Sequence, residues 1–157
     1  MSKIKNQLKE LWGKVGFIVN LSQMVEYNLA NILAFDEILR EFDTRDSMCV
    51  LEYNEFAEKA NLWYSQLSKN PLGYALKRAK EIKYFTEESE LLLSRAIKKR
   101  NYVIHQLFKD DLNKKYLDTN PPYYFDELED TIELLYSINN NLVEIFKNQK
   151  LEYKTIW

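Results

Sequence analysis

The chain's only histidine, His105, lies in "SRAIKKRNYVIHQLF" (residues 94–108), five residues after Arg100 and four after Asn101. These three side chains have complementary chemistry. A guanidinium stays charged at ordinary pH and grips a phosphate or carboxylate through a fork of donors. An imidazole with an unperturbed pKa of about 6.5 gives or takes a proton near neutral pH. An amide can orient either of them. Together they are equipped to bind an anion at Arg100 and move a proton at His105.

The element that carries them reads as a helix. Thr86 is placed as its N-cap, with Glu87 and Glu88 in the first turn, and the pattern ends near residues 108–112. Advancing about 100° per residue from Leu91 gathers Leu92, Leu93, Ala96, Ile97, Val103, Ile104, Leu107 and Phe108 on one arc. His105 and Asn101 fall just past one edge of that arc, one turn apart. Arg100 falls in its middle, about 140° from His105. A charge there needs a partner.

A wheel on the first helix supplies one. Leu21, Ile32, Val25, Ile18, Leu29, Leu33, Val19 and Ala30 form its core arc, and Glu26 lies inside it with Ser22 beside it. Glu26 and Arg100 are therefore expected to face each other, or to share a polar pocket between the two helices. Two readings stay open. Either the two charges form a buried ion pair that fixes helix register, or Arg100 and His105 line a working cleft.

The rest of the chain must hold that helix in place. At 157 residues, 46% of them apolar, it suits a single domain over residues 1–157 with one core. Three glycines and three prolines starve it of turns and favour long helices. The spacing predicts one long helix over residues 3–42, in which Gly13 and Gly16 weaken the first part enough to permit a break or bend, then helices over 47–67 and 72–84. The motif helix comes next, and a last helix covers 125–150. "SKNPLG" reads as a turn, and "KKYLDTNPPYYF" as a loop in which Pro121 and Pro122 forbid helix. Five helices and no strand make an all-α helical bundle.

Charge is uneven. The net charge is -2, but residues 95–115 carry seven Lys or Arg against Asp110 and Asp111, and residues 118–157 carry eight acids against three lysines. A basic segment suits phosphate, or else a solvated helix face beside an acidic helix. "KNPLGYALKRAKEIKYF" adds further cations, including Lys77 and Arg78, interleaved with aromatics. Such a stretch serves as a solvated flank or touches RNA. The single cysteine, Cys49, excludes an internal disulfide and a cysteine-based zinc site. No metal or other cofactor is among the expectations. Lys3, Lys5, Lys9 and Glu10 interrupt any leader-like run, and no stretch reaches the ~20 apolar residues of a membrane span. A cytoplasmic protein without membrane contact is expected.

"RNYVIH" resembles the arginine, polar residue, three others, histidine signature of the HEPN superfamily, small all-α domains with an R-x4-6-H motif. The position on a core helix and the long first helix with an inward acid fit that plan. The resemblance implies a HEPN-like bundle and a metal-independent endoribonuclease, a toxin or antiviral-defence effector, cutting RNA at a composite cleft between two copies. It implies that Arg100 holds the scissile phosphate, that His105 is general base or acid, and that Asn101 orients one of them. Glu26 would support that pocket, and Lys98, Lys99, Lys77 and Arg78 would touch the RNA. A cognate inhibitor or antitoxin protein is a partner such effectors often have. Toxins paired with a nucleotidyltransferase antitoxin often carry a tyrosine two positions after the histidine; here Leu107 stands there. The competing class is a non-catalytic HEPN-like binding or dimerisation module, with Arg100 in a buried ion pair.

Overall fold

The computed structural model describes residues 2–44, 53–69, 72–107 and 121–152. Within them are five helices, α1 (Ser2–Thr44), α2 (Tyr53–Lys69), α3 (Leu72–Ala79), α4 (Glu87–His105) and α5 (Pro121–Glu152), and no strand. The protein is an all-α bundle. No described helix is long and apolar enough to cross a membrane.

The stripe Leu11, Ile18, Leu21, Val25, Leu29 and Ile32 is buried along α1 at three-, four- and seven-residue steps. It meets Leu128, Leu135, Ile138, Leu142 and Ile145 of α5 in one core. Asn28 donates to the Asn139 amide oxygen at 2.9 Å, and Asn139 donates to the Leu21 carbonyl at 3.1 Å. Gln149 donates to the Ile32 carbonyl at 3.1 Å. Rising numbers on α1 meet rising numbers on α5, so these long helices run parallel. Lys14 and Glu129 close the same seam near its start.

α2 lies antiparallel on α1. The Trp63 indole donates to Glu37 at 3.0 Å, and Lys59 pairs with Glu41 at 3.0 Å. α4 lies antiparallel on α5, with Lys99 on Glu127 at 2.7 Å and the Tyr102 and Tyr123 hydroxyls 2.8 Å apart.

Other expectations need correction, but α1 is the one long helix expected, and it runs unbroken through Gly13 and Gly16. Both are exposed, and a Cβ at either would meet nothing within 4 Å. Each glycine costs helix stability, but buried Leu11 and Ile18 on either side hold the helix to one core. Val19 is not a core residue; at the edge of the arc it is 39% exposed. α3 stops at Ala79 rather than reaching Tyr84. The chain then turns through hydrogen bonds such as Ile82 N–H to the Ala79 carbonyl at 3.0 Å, which lets Ile82 and Phe85 reach the core. α5 begins at Pro121, inside the expected loop. Proline is accepted in a first turn, where its missing N–H would be unpaired anyway. The expected helical residues 47–52, the Asn70-Pro71 turn, Cys49, Phe108, Tyr116 and Trp157 lie outside the described residues.

Candidate functional site

α4 is anchored at both ends. Thr86 adopts φ -86° and ψ 165°, and its hydroxyl accepts from the Ser89 N–H at 3.1 Å, with three glutamates in the first turn. At the other end the Gln106 and Leu107 N–H groups both donate to the Tyr102 carbonyl, at 2.9 and 2.8 Å. Leu107 is buried, so the chain folds back into the core. His105 is thereby the last residue of the helix and not an interior one, and its side chain is exposed.

Leu93, Ala96, Ile97 and Val103 bury the arc the spacing assigns to the core. Arg100 escapes the cost of its central position by stretching. It borders a small gap of about 10 Å³ with Ser22, Val25, Ala96, Ile97 and Leu135. It also lines a larger polar pocket of about 240 Å³ with Ser22, Gln23, Glu26, Tyr64 and Ser68. An apolar stem against the core with a charged head towards polar surroundings is the usual solution for arginine. The side chain is half-buried as a result.

Arg100 Nη1 donates to Asn101 Oδ1 at 2.9 Å. Its Nε is enclosed and, among the described residues, finds no hydrogen-bond partner. Glu26 lines the same pocket, so the expected meeting of the two charges takes the form of a shared pocket. Among the described residues no ion pair joins them. Burial pushes the Glu26 carboxyl above its ordinary value, and the Arg100 charge only partly pulls it back. Ser22 and Ser68 donate to carbonyls of their own helices, those of Ile18 at 2.7 Å and Tyr64 at 2.8 Å. They offer the pocket oxygen lone pairs rather than protons.

Asn101 links the motif: it is one hydrogen bond from Arg100 and one helical turn from His105. His105 itself does not line the Arg100 pocket. Lys98 and Lys99 lie on the other flank of α4. They line an open groove of about 710 Å³ against α5, with Arg95, Tyr102, Tyr123 and Glu127. Lys77 is exposed on α3. Arg78 pairs with Glu81 at 3.3 Å and covers the Trp63 ring at 5.5 Å. Neither lines the pocket or the groove. Arg100, Asn101 and Glu26 therefore gather on one side of α4, His105 stands at its end, and the four other cations lie elsewhere.

Sequence reasoning missed Gln23, Tyr64 and Ser68. Gln23 was within reach of the α1 wheel, one residue from Ser22. Tyr64 and Ser68 enter only because α2 packs across α1, which no pattern within α2 announces. Among the described residues no group of three or more His, Cys, Asp or Glu side chains is placed to hold a metal ion. Comparison with family models, curated proteins and solved structures finds no match to this chain.

Proposed function

We propose that this chain is a metal-independent endoribonuclease of HEPN type, a toxin or antiviral-defence effector that works as a homodimer. What supports this is the Arg100 guanidinium lining a polar pocket and hydrogen-bonded to Asn101, with an exposed histidine one turn beyond Asn101 on the same helix. A structural arginine of a core helix would ordinarily be matched by a carboxylate within the fold. This one makes no ion pair among the described residues.

In the proposed reaction a 2'-hydroxyl of RNA attacks the adjacent phosphorus. His105 takes the hydroxyl proton, and Arg100 stabilises charge on the phosphoryl oxygens. The bond to the 5'-oxygen breaks, that oxygen takes a proton from the protonated imidazole, and the products end in a 2',3'-cyclic phosphate and a 5'-hydroxyl. Arg100 and His105 diverge by about 140° on their own helix. A second copy, presenting its histidine beside this arginine, completes the cleft.

RNA cleavage in EDTA tests the reading. Wild type should cut. His105→Ala and Arg100→Ala, checked by circular dichroism, should lose roughly 10²–10⁴-fold in rate. Mixing the two inactive variants should restore part of the activity if the cleft is shared. Absence of cleavage, or a fully active His105→Ala, would refute the proposal. The alternative is a non-catalytic HEPN-like module with Arg100 and Glu26 in a buried ion pair. Their common pocket favours it; their half-buried state and the lack of an ion pair do not.

A further inference from the structure

The Arg100 pocket holds a combination that neither a simple ion pair nor a simple anion site explains. A guanidinium that makes no ion pair among the described residues shares the pocket with a carboxyl that burial disfavours as an anion. If the pocket served only to pair these two charges, they would be within contact. If it served only to hold an anion, a carboxylate on its wall would repel the guest. Both difficulties vanish if the carboxyl is neutral when the guest is present.

We propose that this pocket is a proton-coupled oxyanion site, in which a tetrahedral oxyanion docks on the Arg100 guanidinium while Glu26 takes up one proton from solvent. The balance is simple. The empty pocket holds one positive and one negative charge. The filled pocket holds the guanidinium, the oxyanion and a neutral carboxylic acid, which can donate a hydrogen bond to the guest. Release of the anion returns the proton. Around Glu26 the ionisable neighbours are few: Arg100 from α4 and the Tyr64 phenol from α2. Gln23 and Ser22, from its own helix, are uncharged, and among the described residues α3 and α5 bring no ionisable side chain into the pocket. Glu26 is thus the group whose titration the guest would feel first.

The substrate arm of this proposal rests on the nuclease reading: the guest is then a phosphodiester of RNA, and proton uptake belongs to substrate binding. For Glu26 this predicts a KM that rises with pH in wild type and stays flat in Glu26→Gln, while the pH profile of kcat is common to both.

The proposal itself is tested without RNA. Sulfate keeps a constant charge across the relevant pH range, so its binding to the purified protein is measured by calorimetry between pH 4.5 and 8, in buffers of different ionisation enthalpy. Wild type should bind more tightly as pH falls, by up to about tenfold per unit where Glu26 is ionised, with close to one proton taken up per sulfate. Glu26→Gln should bind at neutral pH as tightly as wild type does in acid, with no proton uptake. Glu26→Asp, which keeps a carboxyl, should retain the coupling. Arg100→Ala should abolish binding. Equal pH slopes in wild type and Glu26→Gln, undiminished binding by Arg100→Ala, or no binding by wild type at any pH would each overturn the proposal. Cleavage that needs His105, in a protein with a flat sulfate profile, keeps the nuclease reading and discards this one. A Glu26-dependent slope in a protein that cuts no RNA does the reverse.

Discussion

The two flanks of α4 carry similar residues and treat them differently. Towards α5, Lys99 sits on Glu127 at 2.7 Å, and Tyr102 and Tyr123 satisfy each other at 2.8 Å. Towards α1 and α2, Arg100 leaves Nε without a partner among the described residues and shares a pocket with a carboxyl it does not touch. Cations line both. On the α5 flank the principal contact is matched, as expected where charge sets packing. On the other flank polar groups are brought together and left incomplete. A buried polar atom without a partner costs free energy, a cost that Arg78 Nε and Gln149 Oε1 also bear in this fold; what sets Arg100 apart is the polar pocket it lines. The contrast points to the α1/α2 flank as the working side, although the α5 groove is about three times larger in volume.

The largest effect that would break this contrast is on cleavage. Arg100→Ala should lower the rate by roughly 10²–10³-fold. Lys99→Met, on the opposite flank, should stay within a few-fold and lower stability by less than about 1 kcal/mol, since its pair with Glu127 is partly exposed. Parallel rate assays and urea melts read both. If Lys99→Met proves as damaging to cleavage as Arg100→Ala, the flanks have been assigned the wrong way round.

The seam that holds the flanks apart comes next. Asn139 accepts from Asn28 and donates to the Leu21 carbonyl, and it is buried. Asn139→Ala strands part of this network and should cost about 1–3 kcal/mol in urea unfolding. A loss of sulfate binding in a still-folded Asn139→Ala would show that the parallel pairing of α1 and α5 positions the pocket. Smaller still, Gly16→Ala removes a poor helix former from an exposed turn with open space around it. It should stabilise by about 0.5–1 kcal/mol and raise the thermal midpoint without altering the pocket, whose nearest α1 residue, Val19, is about one turn away.

Much of this was legible in the sequence, because periodicity reports on one helix at a time. The arc on α4 held for Leu93, Ala96, Ile97 and Val103, and the arc on α1 put Glu26 on the inward side. Thr86 was recognisable as a cap from its type and the acids that follow. Two departures have different causes. Pro121 and Pro122 look like barriers in the sequence, yet a helix start tolerates what its interior does not. Val19 falls on the core arc, yet a residue at the edge of an arc is buried only if a neighbouring helix covers it. What a single wheel cannot give is the path of the other helices. The α2 residues Tyr64 and Ser68 completed the pocket from across α1, and Lys98 and Lys99 turned out to face α5.

The smallest effect offers the finest discrimination, because its sign depends on whether Glu26 resists ionisation. A carboxyl raised above its ordinary value of 4.5 is favoured in its neutral form by the folded protein. Its contribution is fully present below that ordinary value and is lost as pH rises through the folded value. Glu26→Gln removes the titration while keeping shape and an amide of similar polarity. The variant should therefore match wild type near pH 4 and become the more stable of the two as pH rises, with the gap levelling once Glu26 is fully ionised. Asp36, whose carboxyl is also pushed up by burial against the pull of Arg40 and Arg78, titrates in both proteins and cancels in the difference. The gap should be small, since solvent reaches the pocket and Arg100 offsets part of the burial cost. In an Arg100→Ala background that offset disappears and the gap should widen. Were the gap instead to shrink to nothing or change sign at neutral pH in wild type, Glu26 would be a carboxylate stabilised by its arginine, and the two flanks of α4 would be matched alike.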